Sequence, residues 1–303
     1  MPIAIVVHGG AGTLPPERRA LVEAGCKEAA QAGWRVLQAG GSALNAVEAA
    51  VRVLEDDPNF NAATGACLTM NGTIELDAGI MDGSTLNVGA VAVVERIKNP
   101  ISLARRVLES EHVLLSGRGA ERFAAEHDIP SCTYDDLLTE RQYQFWKTRN
   151  DAGEPRYYRR EFGSTAREEK HGTVGAVALD TAGALAAATS TGGIHYKYPG
   201  RVGDSPLVGC GFYADEYAAV SCTGHGEDFT RLLIAKRAAD YVAGGAVARD
   251  GAAATIAFLG AHAEGTGGLI VVDRLGNVGF AWNSANMIHA YLTEGMTEPT
   301  AGA

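Results

Sequence analysis

The chain has 303 residues, of which 46% are hydrophobic, 20% charged and 7% aromatic, a composition typical of globular proteins rather than of disordered or fibrous ones. Lys and Arg number 26 against 36 Asp and Glu, and the resulting net charge of −10 disfavours nucleic acid and anionic lipid as partners. The five cysteines form no CxxC pair, so the sequence predicts free thiols rather than disulfide bonds or a zinc site.

The N-terminal residues MPIAIVVHGGAG contain no basic segment, and their apolar run is too short for a signal peptide or a membrane span. We therefore expect a cytoplasmic protein with no membrane partner. The 38 glycines cluster at the ends of short apolar runs, which indicates a sheet protein with functional loops.

In the first half of the chain, strands and helices are expected to alternate. A β-branched run predicts a strand over 3–7, which leads into a glycine loop that begins at His8. Apolar residues at helical spacing predict a helix over 17–38, and Ser42 is suited to cap a second helix that ends near Glu55. Further predicted elements are strands at 74–76 and 89–94, a turn at 81–83, and two or three helices between 100 and 146.

Residues from about 150 to 172 are highly charged and poor in aliphatic side chains, so we expect a flexible linker there. The second half then predicts strands at 173–180, 184–189, 269–272 and 278–282, and helices at 227–247 and 250–262. Because the strands come as neighbouring hairpins and the helices are grouped apart, two stacked sheets between helical layers fit best.

The Gly172-Thr173 dipeptide is unusual because a charged linker ends there, at the first residue of an apolar strand. Cleavage of this peptide bond would give Thr173 a free α-amino group beside its own hydroxyl, so one residue would supply both nucleophile and base. Gly172 would expose its carbonyl to the attacking hydroxyl, since it has no side chain. The simpler interpretation is that Gly-Thr only begins a strand, and spacing alone favours it.

Several motifs resemble the isoaspartyl peptidase and plant-type L-asparaginase family of N-terminal-nucleophile hydrolases. They are VVHGGAG, FNAATGA, ELDAGIMDG, GAVAVVERIKNP, HGTVGAVALD, AAATSTGG, PGRVGDSP and SCTGHGE, in this order along the chain. The resemblance implies a precursor that cleaves itself into chain α, residues 1–172, and chain β, residues 173–303. It also implies an α+β fold with a four-layer αββα sandwich, and a dimer of αβ units, which is a heterotetramer.

The resemblance assigns catalytic roles to five residues, and three of them, Thr173, Thr191 and Asn61, would act at or beside the nucleophile. Thr173 would be the nucleophile, both for self-cleavage and for attack on the side-chain carbonyl of L-asparagine or a β-aspartyl dipeptide. Thr191 would hydrogen-bond near the nucleophile, although a structural turn is its simpler interpretation. Asn61 would fix the nucleophile's amino group.

The same resemblance places the substrate-binding groups and the other two catalytic residues, Thr223 and Gly224, in the second half. Arg201 would bind the α-carboxylate and Asp204 the α-ammonium group, whereas an isolated RxxD pattern would usually be a surface ion pair. Thr223 and Gly224 would form the oxyanion hole, and Gly226 would line the α-amino pocket through its carbonyl.

No cofactor and no divalent metal are expected to be required for catalysis. The eight histidines show no HExxH or HxxxH spacing, so metalloprotease chemistry has no support. His225 is interpreted as part of the pocket wall rather than as a base, and His8 as a loop residue near the site. Some members of the family bind an alkali-metal ion, Na⁺ or K⁺, in a loop that corresponds to the stretch between Leu54 and Phe60. Ala63 stands where the family usually has glycine, which leaves this loop's conformation open.

Three alternatives are considered. An aspartylglucosaminidase-like hydrolase of the same fold usually has a signal peptide and HDT at the junction, and a threonine-type protease that cuts after aspartate usually has a longer linker. A protein of a different class would bind a nucleotide phosphate with the HGGAG loop. That pattern lacks GK[ST] and the full GxGxxG spacing. The sequence does not rank isoaspartyl dipeptides against free asparagine.

Overall fold

A computed structural model describes residues 1–153 and 172–303. Within these residues the chain forms a mixed α+β fold with two β-sheets and helices on their outer faces. None of the described helices combines the length and the apolar character that crossing a membrane requires.

The larger sheet is built from strands of both halves of the chain. Its described strands are β1 (Ala4–Gly12), β2 (Leu76–Asp82), β3 (Val88–Val94), β4 (Leu114–Ser116), β5 (Val174–Leu179), β6 (Leu185–Thr191), β11 (Asn286–Thr293) and β12 (Thr300–Gly302). They lie in the order β12-β11-β1-β5-β6-β2-β3-β4, so β5 is central. Neighbours run antiparallel except β3 and β4, which are parallel.

The smaller sheet comes entirely from the second half of the chain. Its strands are β7 (Phe212–Ala214), β8 (Ala218–Gly224), β9 (Gly267–Asp273) and β10 (Val278–Trp282), in the order β10-β9-β8-β7. All neighbouring strands in this sheet are antiparallel.

The described helices flank the sheets. In the first half they are α1 (Pro16–Gln38), α2 (Ala43–Asp56), α3 (Pro100–Leu108), α4 (Gly117–Glu126), α5 (Tyr134–Leu137) and α6 (Glu140–Asp151). In the second half they are α7 (Gly226–Leu232), α8 (Ile234–Ala243) and α9 (Ala248–His262).

Three clusters of buried apolar side chains hold the sheets and helices together. One joins the larger sheet to α1, α2 and α3, a second joins the smaller sheet to α8 and α9, and a third lies between the two sheets. The strands consist largely of small apolar residues, as in the AVAL segment of β5, because both faces of each sheet are covered.

The side chains between the sheets change from apolar to polar along each central strand. Successive residues of a strand point to opposite faces, so every second residue faces the other sheet. On this face β1 runs from Val6 to His8, β6 from Ala187 to Thr189 and Thr191, and β8 from Ala219 to Ser221 and Thr223. The polar ends meet at one edge of the layer, where β5 begins, and this edge carries the candidate site.

Most sequence expectations for the elements are confirmed. The helix predicted over 17–38, the cap at Ser42, the hairpin of β5 and β6, and the strands β9 and β10 are all present. The Ser42 hydroxyl accepts a hydrogen bond from the Asn45 amide at 3.2 Å, as an N-cap does.

Other expectations are wrong in detail. The strand expected at 74–76 lies at Leu76–Asp82, so the expected turn at 81–83 is mostly strand. Four described helices rather than two or three follow Pro100, and α6 continues to Asp151, into the expected linker. The helix expected over 227–247 is divided at Leu233, whose φ is +52°. Linker residues 154–171, including His171, lie outside the described residues.

Candidate active site

Thr173 and Thr191 face each other at the polar edge between the sheets. The hydroxyl of Thr173 donates a hydrogen bond to Oγ1 of Thr191 at 3.1 Å, and both residues are buried. Oγ1 of Thr191 also accepts from the backbone N–H of Gly193 at 2.9 Å. Thr191 is therefore held by its own loop as well as by strand β6, and it fixes the orientation of the Thr173 hydroxyl.

Asn61 packs directly against the residue that precedes Thr173. A Cβ atom on Gly172 would lie 2.6 Å from Cβ of Asn61, so only glycine fits there without a shift. The Asn61 amide donates to the Gly193 carbonyl at 2.7 Å, and its oxygen accepts from the Cys67 N–H at 2.7 Å. An amide oxygen has two lone pairs, so it can accept a second bond from an amino group nearby.

Glu75 anchors the loop that carries Arg201 through two hydrogen bonds. The Lys197 ammonium group donates to the Glu75 carbonyl at 2.8 Å, and the Gly200 N–H donates to Oε2 of Glu75 at 2.8 Å. Lys197 and Glu75 are both buried, so this anchor is shielded from solvent. The backbone of the loop is therefore fixed at Gly200, one residue before Arg201.

Arg201 is paired with Glu227 at the start of α7. Nε and Nη2 of Arg201 donate to Oε1 and Oε2 of Glu227 at 2.9 and 2.7 Å. Burial alone would raise the pKa of Glu227, but the hydrogen bonds and charge of Arg201 outweigh it and lower that pKa to about 2. The pair is bidentate, which fixes the plane of the guanidinium group.

Asp204 is a buried carboxyl group with unused hydrogen-bonding capacity. Its Oδ2 atom has no hydrogen-bond partner within the described part of the chain. Burial raises its pKa to about 7, with the nearby Arg201 charge acting in the opposite direction. A buried acceptor with no partner is costly, so this carboxylate is suited to receive a cationic group from a ligand.

Two glycines allow the backbone to come close to neighbouring side chains. Gly226 lies beside Arg201 and Asp204, which together are called the clamp, and Gly224 lies at the end of strand β8. A Cβ on Gly226 would lie 2.8 Å from Nη2 of Arg201 and 3.0 Å from Oδ1 of Asp204. A Cβ on Gly224 would lie 2.5 Å from the Phe229 ring. Both positions therefore need glycine for close approach.

Thr223 points toward the larger sheet from β8. Its Oγ1 atom accepts a hydrogen bond from the Ala11 N–H at 3.2 Å, and the side chain is fully buried. Accepting this bond leaves the hydroxyl proton of Thr223 to be donated elsewhere.

One small pocket brings together most of the residues selected from the sequence. Its walls include Thr173, Thr191, Arg201, Asp204 and Gly224. Asn61, Thr223 and Gly226 do not line this pocket. Asn61 and Gly226 contact the residues that do, and Thr223 precedes Gly224 on β8.

His225 lies beside the clamp. Its Nδ1 atom is 2.9 Å from Oδ2 of Asp228, and its Nε2 atom is 3.5 Å from Oε2 of Glu227. Within residues 1–153 and 172–303, no cluster of three His, Cys, Asp or Glu side chains is arranged to hold a metal ion.

The stretch Leu54–Phe60, where the sequence left an alkali-metal site open, covers the end of α2 and the residues that follow it. The carbonyls of Pro58 and Asn59 already accept hydrogen bonds from the guanidinium groups of Arg141 and Arg18, at 2.9 and 2.7 Å. The carbonyls of Glu55 and Asp57 also accept hydrogen bonds, from the N–H groups of Thr64 and Phe60 at 3.0 and 3.2 Å. Carbonyls are hard oxygen donors of the kind that an alkali-metal ion prefers.

Ala63 adopts φ +45°, the left-handed region that glycine enters most easily. The methyl group therefore does not prevent the backbone conformation that a glycine would permit at this position.

Sequence reasoning missed the residues that support the site from neighbouring strands and loops. Glu75, Glu227, Ser221 and Thr189 make its supporting hydrogen bonds. Ser221 and Thr189 lie two residues before Thr223 and Thr191 on the same strands, so each pair of side chains shares one face of its sheet. This spacing was the signal from which the sequence could have indicated them.

Comparison with known proteins identifies related sequences along the whole chain. A family model described as "Asparaginase" matches residues 1–301. The chain is 48% identical to a protein named plant-type L-asparaginase from Pyrococcus abyssi, over 99% of both chains. It is 44% identical to the rat protein named isoaspartyl peptidase/L-asparaginase, over 97% of this chain and 87% of the rat protein. For the human protein of the same name, the identity is 42% over 97% and 94%.

Proposed function

Because the chain belongs to the asparaginase family that matches its residues 1–301, we propose that it is a self-cleaving amidohydrolase that releases L-aspartate from L-asparagine and isoaspartyl dipeptides. Relatives from Pyrococcus abyssi and the rat carry the names of these two activities. The observation that supports the proposal best is one pocket holding two hydroxyl groups, Thr173 and Thr191, beside the charged pair Arg201 and Asp204.

In maturation, Oγ1 of Thr173 attacks the carbonyl carbon of Gly172. The Gly172–Thr173 C–N bond breaks, the acyl group passes to the hydroxyl oxygen as an ester, and the hydroxyl proton passes to the Thr173 nitrogen, which becomes an amine. Water then hydrolyses this ester, which leaves a carboxylate on Gly172 and a free α-amine on Thr173. The close fit of Gly172 against Asn61 supports the need for glycine on the acyl side of this bond.

In turnover, the α-amine of Thr173 takes the proton of the Thr173 hydroxyl while Oγ1 attacks the side-chain carbonyl of the substrate. The C–N bond of the substrate breaks, and the leaving amine accepts that proton. A β-aspartyl ester on Thr173 remains, and water hydrolyses it to L-aspartate. The hydroxyl of Thr223 and the amide of Gly224 are proposed to donate to the oxygen that becomes negative.

The clamp is proposed to recognise the two charges that both substrates share. Arg201 presents its Nη1 side to the α-carboxylate, because Glu227 occupies Nε and one hydrogen of Nη2. Asp204 receives the α-ammonium group with the oxygen that has no partner within the described residues, and the Gly226 carbonyl assists it. Both substrates present these groups, and they differ only in the leaving amine.

The finer points of the fold and assembly are also proposals. The order of helices, larger sheet, smaller sheet and helices supports a four-layer αββα sandwich, and we expect a dimer of αβ units. All five cysteines are free, which supports a reducing compartment such as the cytoplasm. The proposed chemistry needs no cofactor and no divalent metal. An alkali-metal ion near Leu54–Phe60 would have a structural role, and no step uses it.

A nucleotide-binding function is not favoured. The HGGAG segment lies within β1, which pairs with β11 at His8 and again at Ala11 and Gly12, with a shift of register at the two glycines between them. Helix α1 begins only at Pro16, so the glycines do not form a loop at a helix N-terminus where a phosphate would bind.

The decisive experiment is the intact mass of the purified protein, together with the N-terminal residue of any fragment and an assay of L-asparagine hydrolysis. We expect two fragments in place of one 31.6 kDa chain, the second beginning at Thr173. Thr173→Ala should remain a single inactive chain, while Thr173→Ser keeps a hydroxyl and should still cleave. An uncleaved chain that hydrolyses asparagine at full rate would refute the proposal.

A further inference from the structure

His8 makes the link between the nucleophile residue and the smaller sheet. It is fully buried at the point where β1 pairs with both β5 and β11. Its Nδ1 atom lies 3.1 Å from the carbonyl oxygen of Thr173, and its Nε2 atom lies 2.9 Å from the hydroxyl of Ser221. The sequence had suggested only a loop residue near the site, whereas His8 is a strand residue in direct contact with Thr173.

The partners fix the tautomer of the ring. A carbonyl oxygen only accepts, so Nδ1 must carry the proton and donate to Thr173, and Nε2 must accept from the Ser221 hydroxyl. Burial and the nearby His289 support a neutral ring, because they lower the pKa of His8 to about 3 although the Thr173 carbonyl acts in the opposite direction. His8 therefore acts as a fixed donor and takes no part in proton transfer.

Ser221 is itself held in place. Its one hydroxyl proton is donated to Nε2 of His8, so its Oγ can accept from the hydroxyl of Thr189, 3.1 Å away. A Cβ on Gly175 would lie only 2.0 Å from this oxygen and 2.6 Å from Nε2 of His8, so the strand leaves room for the contact by having glycine there. The ring of His8 is thus positioned from the second sheet.

Thr173 needs such an anchor because it lies just outside the paired part of β5. Pairing with β6 begins at Val174, and pairing with β1 begins at Gly175. Its hydroxyl is held by Thr191 and its carbonyl by His8. Together these two contacts determine how the residue is turned toward the pocket.

We propose that His8, oriented by Ser221, is a positioning residue. By holding the Thr173 carbonyl, it keeps the Thr173 hydroxyl directed at the carbonyl carbon that it attacks, both in self-cleavage and in turnover. The inference rests on the proposed function. A displacement of about 1 Å at a reacting atom commonly costs about 100-fold in rate, so losing this contact is expected to lower kcat rather than substrate binding.

Two variants separate the two nitrogen atoms of the ring. In His8→Asn the amide nitrogen is attached at the position of Nδ1 and can still donate to Thr173. In His8→Gln the amide nitrogen is attached at the position of Nε2, so it reaches toward Ser221 and leaves the Thr173 carbonyl without its donor. We expect His8→Gln to lower kcat by about 10- to 100-fold with KM within about threefold, and His8→Asn to restore most of that kcat.

The matched control is His289→Gln, because His289 is the cross-strand neighbour of His8 and is also buried but bonds to the Met287 carbonyl instead. It should keep the wild-type kcat. Melting temperature and L-aspartate affinity are measured for each variant, so that a general loss of structure is recognised. The time course of precursor disappearance should slow in His8→Gln and recover in His8→Asn.

Equal losses of kcat in both His8 variants, a wild-type kcat in His8→Gln, or a kcat loss matched by lost L-aspartate binding would each overturn the inference. If neither variant folds, Ser221→Ala decides, since it removes only the oxygen that orients the ring. A lowered kcat with unchanged KM supports the role, and an unchanged kcat contradicts it. A wild-type protein that neither cleaves itself nor hydrolyses asparagine would instead refute the proposed function.

Discussion

Glu227 holds Arg201 with both carboxylate oxygens, at 2.9 and 2.7 Å from Nε and Nη2. The two residues come from separate segments, the loop before β7 and the first turn of α7. The Arg201 side chain is mostly buried and that of Glu227 is partly exposed. The Glu227 carboxylate therefore extends inward to orient the Arg201 guanidinium group. The guanidinium group is therefore set in one plane before any substrate arrives.

Replacing Glu227 by Gln should weaken substrate binding. The amide keeps one acceptor but loses the charge and the second acceptor, so Arg201 is no longer held in one plane. We expect KM for L-asparagine to rise by about 5- to 30-fold with a smaller change in kcat, measured by steady-state kinetics. Glu216→Gln, at an exposed position between β7 and β8, is the control. A lower KM would show instead that Glu227 competes with the substrate.

Asp204 should make substrate affinity depend on pH. Its raised pKa of about 7 means that the carboxylate gains a proton as the pH falls below 7 and then no longer attracts an ammonium group. KM should therefore rise as the pH is lowered from about 8 to about 5.5, whereas Asp204→Asn should have a high KM that no longer changes over this range. A flat KM in the wild-type enzyme would contradict the assigned role.

Thr191 should contribute to the chemical step through its hydroxyl alone. Thr191→Val keeps the side-chain shape but leaves the Thr173 hydroxyl and the Gly193 N–H without their acceptor. We expect kcat to fall by about 10- to 100-fold, which corresponds to the loss of one or two hydrogen bonds in a buried site. Thr191→Ser should recover most of this rate. If Thr191→Val has wild-type kcat, the Thr173–Thr191 contact is only structural.

Gly175 should tolerate no side chain, because a Cβ there would lie 2.0 Å from Oγ of Ser221 and 2.8 Å from the Ala188 carbonyl. Gly175→Ala is expected to destabilise the fold by about 1–3 kcal/mol through overpacking, measured by thermal or denaturant unfolding. Gly119 in α4 is the matched control, since a Cβ on it meets nothing within 4 Å. Gly119→Ala should leave stability unchanged or slightly higher. Equal effects at the two glycines would disprove the packing argument.

Glu55 should make the stability of the protein fall as the pH rises. Its carboxyl group is fully buried, its Oε1 accepts from Ser190 and Ile101 at 2.6 and 3.0 Å, and its Oε2 has no partner within the described residues. Burial raises its pKa to about 8, although the hydrogen bond from Ser190 opposes that shift. The unfolded chain, with a glutamate pKa of about 4.3, loses this proton first, so folding loses stability between about pH 4.3 and 8.

Glu55→Gln removes this titration. The melting temperature of the variant, relative to the wild type, should therefore increase as the pH rises from about 5 to 8. Other titrating groups are common to both proteins and cancel in the difference. Melting curves whose difference does not change with pH would show that Glu55 is already ionised in the folded protein.

The sequence predicted those parts of the fold that depend on local patterns. Apolar runs located β5, β6, β9 and β10, and Ser42 located the start of α2. The strand β11 was not predicted because its role depends on pairing with β1, more than 270 residues away in the chain. Leu233 also gave no signal, because a break at a leucine with φ +52° depends on packing and not on local preference.

The sequence motifs pointed to residues that lie together in the candidate site, but not to the residues that support them. Thr173, Thr191, Arg201 and Asp204 lie together in one pocket, as the resemblance implied. His8 and Glu227 belong to recognised motifs, but their partners come from other segments of the chain. Only the tertiary structure shows that their side chains hydrogen-bond to Thr173 and Arg201.

The strand order of the larger sheet bears on what would happen to the two proposed fragments. Strands β1 to β4 precede the junction, whereas β5, β6, β11 and β12 follow it, and the two sets alternate across the sheet. Three strand boundaries, β11 with β1, β1 with β5, and β6 with β2, would therefore join one fragment to the other. Scission would leave an interlocked pair that can be separated only by denaturation, and folding would have to be complete before the backbone is cut.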